Sequence, residues 1–209
     1  MATPRQLVET VAEVLGVSVA TVIVHDRNLS TAPVPLRTVA GRGRAAAKIT
    51  AVDAANLLIA VSASESVKNS VWTVLTYGGM RLTSRSTSSG LTSTTPTRIR
   101  SVDELPYNHT FGEFLAALID AVAANELRPK EFKATVRFEA PRPSADLEWT
   151  FPELREKQKG ELKELRGERM GYELKPKTKW SGESGDLFRT TEFSETTILR
   201  VGAIIGVSE

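Results

Sequence analysis

Residues 7–28 read LVETVAEVLGVSVATVIVHDRN, and this stretch decides the N-terminal part of the fold. The apolar residues of its first half recur at the spacing of one helix face: Leu7, Val8, Val11, Ala12 and Leu15. Pro4 suits the first turn of such a helix, and Gly16 suits its end because glycine adopts the left-handed conformation without strain. The sequence therefore predicts a helix from Pro4 to Leu15.

A second segment follows this turn. Ser18 is a good N-cap and predicts a helix from Val19 to about Leu29. The β-branched run VSVATVIV is also compatible with a buried strand, since such residues lower helix propensity and favour sheets. Propensity alone leaves both alternatives open.

The pattern of residues 7–28 resembles the helix-turn-helix of winged helix-turn-helix DNA-binding proteins. Ala12 is small where two helices cross, Gly16 permits a tight turn, and Val22 fills the space between the helices. The resemblance implies that the second helix enters the major groove of duplex DNA. Its outward residues would be Ser18, Ala20 or Thr21, Val24 or His25, and Asn28. We expect the polar ones to reach base edges or phosphates: Ser18, Thr21, His25 and Asn28.

A Gly- and Arg-bearing stretch, residues 36–44 (LRTVAGRGR), comes next, where winged-helix proteins place a β-hairpin wing. Between Ser18 and Lys48 there are five basic residues and one acidic residue, an excess of four. We expect the basic side chains here to hold phosphate: Arg27, Arg42, Arg44 and Lys48. Taken alone, GRGR is also typical of a solvated loop.

Two further helices are predicted after this stretch. Thr50 and Asp53 form a capping pattern for a helix from Ala51 to about Ser62. Val67, Val71, Val74 and Leu75 keep helical spacing as far as Gly78, although residues 76–82 (TYGGMRL) also suit a hairpin turn.

Residues 83–97 (TSRSTSSGLTSTTPT) contain almost nothing that can fill a core. Their Ser, Thr, Gly and Pro content predicts a linker or long loop. We therefore expect a mostly helical DNA-binding module over residues 1–82, a linker over 83–97 and a second domain over 98–209.

The second domain combines helix and strand patterns. Thr110 is a suitable cap for an amphipathic helix reaching about Glu126. Alternation over residues 132–138, 147–151 and 196–205 predicts strands, whereas the mixed charges of residues 153–169 indicate a solvated helix or hairpin arm. The fold class expected for the chain is α+β with an antiparallel sheet, and the second domain would serve dimerisation or partner binding.

Composition removes several kinds of site. The chain has no cysteine and two histidines, His25 and His109, which excludes disulfides and thiolate metal sites and leaves little for a zinc site or a histidine triad. Residues 41–48 (GRGRAAAK) lack the glycine before and the hydroxyl after the lysine of a nucleotide loop, and no strand–helix series supports a dinucleotide fingerprint. We expect His109 to cap or pack near Thr110. No catalytic residue, metal or cofactor is predicted, although an acid-only or lysine-based active site would leave no motif.

The expected function is that of a cytoplasmic transcriptional regulator that binds double-stranded DNA as a homodimer, with a phage or prophage type as one option. Two copies on a pseudo-palindromic site would roughly double the phosphate contacts. No leader pattern or membrane span is seen in the sequence. The alternatives are a viral DNA-packaging or assembly protein that forms a ring, and a protein-interaction module without DNA binding.

Overall fold

The computed structural model describes residues 2–38, 48–87, 99–129, 132–150, 168–173 and 189–206. The helices in these ranges are α1 (Pro4–Leu15), α2 (Val19–Ser30), α3 (Ala51–Ala63), α4 (Ser70–Thr73), α5 (Arg100–Asp103), α6 (Phe111–Ala123) and α7 (Glu195–Gly206). The strands are β1 (Arg81–Thr87), β2 (Lys133–Ala140), β3 (Ser144–Thr150), β4 (Glu168–Glu173) and β5 (Arg189–Ser194). A 3₁₀ turn, Val67–Asn69, precedes α4, and a π-helical turn, Val74–Gly78, extends it.

The strands form one antiparallel sheet in the order β1-β4-β3-β2-β5. Val136 of β2 lies opposite Leu147 of β3 on one side and Phe193 of β5 on the other. This arrangement confirms the predicted α+β class and its antiparallel sheet.

Alternate residues of the central strands are buried. These are Ala134, Val136 and Phe138 of β2, and Ala145, Leu147 and Trp149 of β3. Because side chains of a strand alternate between its two faces, one face of the sheet meets the core. The strands predicted over residues 132–138 and 147–151 are confirmed.

Helix α6 lies at the centre of the core. Thr110 and Glu113 cap its first turn reciprocally, as predicted for Thr110. The Phe111 ring meets Tyr172 edge-on with centroids 5.3 Å apart, and the Phe114 ring lies 5.4 Å from Trp149. Helix α6 also packs against α3 and α7, so the helices of both halves of the sequence meet on it.

The predicted N-terminal helices are present. The second segment is the helix α2, so the strand alternative is wrong. Thr50 and Asp53 form the expected capping box of α3. Residues 70–78 are helical, and the hairpin alternative for residues 76–82 is therefore also wrong.

Residues 196–205 form helix α7, not the predicted strand. The apolar residues of this segment suit either structure locally, but Ile198, Val201 and Gly202 are buried at helical spacing. At Gly202 the helix lies so close to α6 that an added Cβ would be 2.5 Å from the Val122 Cβ. Packing on α6 therefore decides the structure of the segment.

The structure differs from the predicted linker at its first residues. Residues 83–87 belong to β1, which pairs with β4; residues 88–98 lie outside the described ranges. One hydrophobic core contains Leu7, Leu58, Phe114 and Val201, from both sides of the expected boundary. In the described part of the chain, the N-terminal helices therefore share their core with the sheet.

Candidate nucleic-acid interface

The turn between α1 and α2 is short and contains a glycine in the left-handed conformation. Gly16 has φ 65° and ψ 29°, a left-handed conformation, and its N–H donates to Ala12 O and Glu13 O. Ser18 is extended, and its Oγ accepts from the Thr21 N–H at 3.1 Å. Ala12 and Val22 are both buried. A tight turn thus fixes the direction of α2 relative to α1.

Helix α2 leaves one face uncovered in the described structure. Val19, Ile23 and Val24 expose 44%, 52% and 40% of their surface. Ala20 and Arg27 are exposed as well. These positions lie one or two helical turns apart and form a stripe, which we call the outer face of α2. It is apolar apart from Arg27.

The structure places His25 on the other face, so the prediction that it points outward is wrong. His25 is 4% exposed, and its Nδ1 lies 2.8 Å from the Ser70 Oγ of α4. Burial lowers the pKa of His25, because charging the ring inside the protein is costly. His25 therefore joins α2 to α4 and leaves Val24 on the outer face.

Asn28 also turns inward, contrary to the prediction. Its Nδ2 donates to the Val67 carbonyl oxygen at 2.6 Å. The carbonyl belongs to the 3₁₀ turn before α4. Asn28 therefore satisfies the Val67 carbonyl oxygen and holds the C-terminal end of α2 against the turn before α4.

Ser18 and Thr21 lie at the N-terminal end of α2. Ser18 is exposed and Thr21 is half-buried. Their hydroxyl oxygens are 2.7 Å apart and share a hydrogen bond. Either hydroxyl can still turn to an outside acceptor, at the cost of this local bond.

The predicted phosphate-holding residues fall into two groups. Arg27 and Lys48 are exposed, as such a role requires. Arg42 and Arg44 lie outside the described residues, as do residues 39–44 of the wing predicted over residues 36–44. Lys68, which the sequence analysis did not select, is also exposed next to Val67. No sequence signal marks Lys68, because its position beside α2 depends on the tertiary contact of Asn28.

Both ends of the segment 39–47 are fastened to helices. Asp53 Oδ1 accepts from the Thr38 N–H at 2.5 Å, and Asp53 Oδ2 accepts from the Thr50 N–H at 2.8 Å. Before the segment, Arg37 Nε lies 2.5 Å from Asp26 Oδ1 of α2. Asn56 Nδ2 also donates to the Leu36 carbonyl oxygen at 2.7 Å. The residues on either side of the segment 39–47 are therefore fixed to α2 and α3.

Most acidic side chains of residues 1–80 are bonded within the protein. Glu9 pairs with Arg5 at 2.7 Å, and Glu13 pairs with Arg200 at 2.5 Å. Asp26 and Asp53 are held as described above, while Glu65 is exposed. Among the described residues, Arg27, Lys48 and Lys68 have no acidic partner within ion-pair distance. The surface near α2 therefore carries positive charge that the described chain does not neutralise.

A cleft of about 290 Å³ lies between α4 and the β2–β3 turn. Two of its polar groups bond to the backbone: Arg189 donates to the Ala63 carbonyl oxygen at 2.6 Å, and the Tyr77 hydroxyl donates to the Glu139 carbonyl oxygen at 2.7 Å. Burial raises the pKa of Tyr77 to about 12, which keeps its proton in place near neutral pH. These groups hold the fold together at this cleft.

Among the described residues, no three His, Asp or Glu side chains converge to hold a metal ion. None of the helices in that part of the chain has the length and apolar character that a bilayer crossing requires.

His109 is buried, places its Nε2 2.9 Å from the Tyr172 hydroxyl and stacks on Phe114, so it packs beside α6 as expected.

Comparisons with protein-family models, with curated proteins and with solved structures gave no match to this chain.

Proposed function

We propose that this protein is a sequence-specific DNA-binding regulator of transcription that places α2 in the major groove of duplex DNA. The observation that carries the proposal is the uncovered outer face of α2. It follows a left-handed glycine turn, and Arg27, Lys48 and Lys68 supply positive charge nearby. A single helix fits the major groove, and basic residues on either side of it can hold phosphates.

The segment 39–47 contains Arg42 and Arg44. Arg37 and Thr38 before it, and Thr50 after it, bond to residues of α2 and α3. A basic segment whose ends are held near a groove-binding helix can add backbone or minor-groove contacts. Two such modules in a homodimer would contact two half-sites, which raises affinity and the salt dependence together.

The test measures binding of the purified protein to random-sequence duplex DNA by fluorescence anisotropy over a series of salt concentrations. Light scattering on the same sample gives the mass. We expect salt-sensitive binding by a dimer. Arg27→Ala should lower the slope of log affinity against log salt by about two units for the dimer, because each of its two subunits loses one phosphate contact.

Lys133→Ala is the matched control, since Lys133 is an exposed lysine on strand β2. It should leave the slope unchanged. A large ring that binds DNA loosely would instead favour an assembly or packaging role. Absence of binding at low salt would overturn the proposal and favour a protein-interaction module.

A further inference from the structure

The outer face of α2 offers almost no hydrogen bonds to a DNA groove. Its exposed members are Val19, Ala20, Ile23, Val24 and Arg27. Four of these side chains are apolar, so they can recognise a base edge only through van der Waals contact and the exclusion of water.

The polar side chains of α2 are engaged elsewhere. His25 bonds to Ser70, and Asn28 bonds to the Val67 carbonyl oxygen. Asp26 pairs with Arg37, while the Ser30 hydroxyl donates to the Arg27 carbonyl oxygen at 2.9 Å. Using His25, Asn28 or Asp26 for a base would break a contact that positions the helix. Recognition through the hydrogen-bonding edges of bases therefore falls mainly to the hydroxyls of Ser18 and Thr21 at the start of α2.

The major groove has one distinctive apolar group, the C5-methyl of thymine. We infer that α2 recognises thymine methyl groups, with Ile23 as the central contact and Val19 and Val24 on either side. The inference rests on the proposed function and specifies how it achieves sequence preference. Ile23 is 52% exposed and has the longest apolar side chain of the stripe, so it reaches furthest from the helix.

Charge favours DNA over a protein as the occupant of this face. Arg27 lies on the stripe. Lys68 is exposed on the 3₁₀ turn that packs beside α2, and Lys48 is exposed just before α3. The acids Glu9, Glu13, Asp26 and Asp53 are bonded within the protein, as described above. A polyanion gains from such a surface through release of its counterions, whereas an apolar protein surface would have to desolvate these charges.

The experiment starts with selection of the tightest-binding duplexes from a random pool. Each selected duplex is then made in two forms, with thymine or with uracil at every thymine position. Uracil lacks the C5-methyl but pairs identically. Loss of one contacted methyl should weaken binding about fourfold, because burying one methyl-sized apolar group contributes ~0.8 kcal/mol to the binding free energy. The salt dependence should stay the same, because no phosphate contact changes.

Ile23→Ala should reduce the thymine-to-uracil difference, since the variant has lost the side chain that meets the methyl. Leu75→Ala is the control: Leu75 is an exposed apolar residue on the π-helical turn Val74–Gly78, not on α2. It should keep the full difference. Circular dichroism checks that both variants are folded, and Val19→Ala provides a second variant on the stripe.

The outcomes separate the inference from the proposed function. Equal binding of the two forms by the wild type would overturn the inference and leave DNA binding intact. Lack of binding to any duplex would overturn the proposed function itself. If Ile23→Ala dissociates an oligomer and leaves the thymine-to-uracil difference unchanged, the face belongs to a second copy of the chain and the inference fails.

Discussion

Asp26 and Arg37 form a buried ion pair, with Oδ1 and Nε 2.5 Å apart. Asp26 belongs to α2, and Arg37 belongs to the segment that leads towards residues 39–47. The pair thus joins α2 to the residues that precede the segment 39–47. Burial raises the pKa of Asp26, and the charge of Arg37 opposes this rise.

Arg37→Ala should destabilise the protein by about 3 kcal/mol at pH 8, because it leaves the Asp26 carboxylate buried without its partner. The loss should be smaller at pH 5 than at pH 8, because the fraction of Asp26 that is protonated grows as the pH falls and protonation removes the unpaired charge. Urea unfolding at both pH values measures it. Arg5→Ala, which removes an exposed ion pair with Glu9, should cause no measurable change. Equal effects of the two substitutions would contradict the prediction.

Stability should fall as the pH drops below about 6.5, through His25. Burial lowers the pKa of His25 in the folded state, so in this range the unfolded chain binds a proton that the folded chain does not. The contribution reaches at most about 1.4 kcal/mol per pH unit. His25→Gln, which retains a polar partner for Ser70, should give a flatter pH dependence of the free energy of unfolding. His109 is present in both proteins, so an unchanged slope would mean that His25 does not contribute.

Asp53→Ala should cost about 2 kcal/mol of stability, because it removes the α3 capping bond and the bond to the Thr38 N–H. Glu113→Ala is the matched substitution, since Glu113 occupies the same capping position in α6 and is exposed. It should cost less, for it has no second segment to hold. Thermal unfolding of the two variants gives the comparison, and a greater loss for Glu113→Ala would argue against the second role of Asp53.

Gly202→Ala should destabilise the protein by about 2 kcal/mol, although alanine is the better helix former. The new Cβ would be 2.5 Å from the Val122 Cβ and 2.9 Å from the Ile119 carbonyl oxygen, so α6 and α7 would have to separate. Ala203→Ser, at an exposed position of the same helix, should be close to neutral. A stabilising effect of Gly202→Ala in urea unfolding would show that the two helices are less closely packed.

Local chemistry explains why several elements could be predicted. The capping boxes at Thr50 and Thr110 lie within four residues of the helices they start. Gly16 ends α1 through its own backbone conformation. The alternation of β2 and β3 reflects one buried face of the sheet. Each of these signals is read from neighbouring residues.

The candidate site was harder to predict because α2 has apolar residues on both faces. Val22 is buried while Val19 and Ile23 are exposed, so the sequence cannot tell which side meets the core. The choice between Val24 and His25 as the outward residue depended on Ser70, a residue distant in the sequence whose hydroxyl accommodates the His25 ring.

The helix starts, the glycine turn and the α+β class could be predicted from the residues, because they follow from caps, backbone conformation and periodicity over a few positions. Tertiary contacts set the inward turn of His25 and Asn28, the helical state of residues 196–205 and the strand at residues 83–87. Each depends on a partner far along the chain: α4 and the turn before it, α6, and strand β4. The energy of such contacts is absent from the local sequence, since it arises when distant surfaces are brought together.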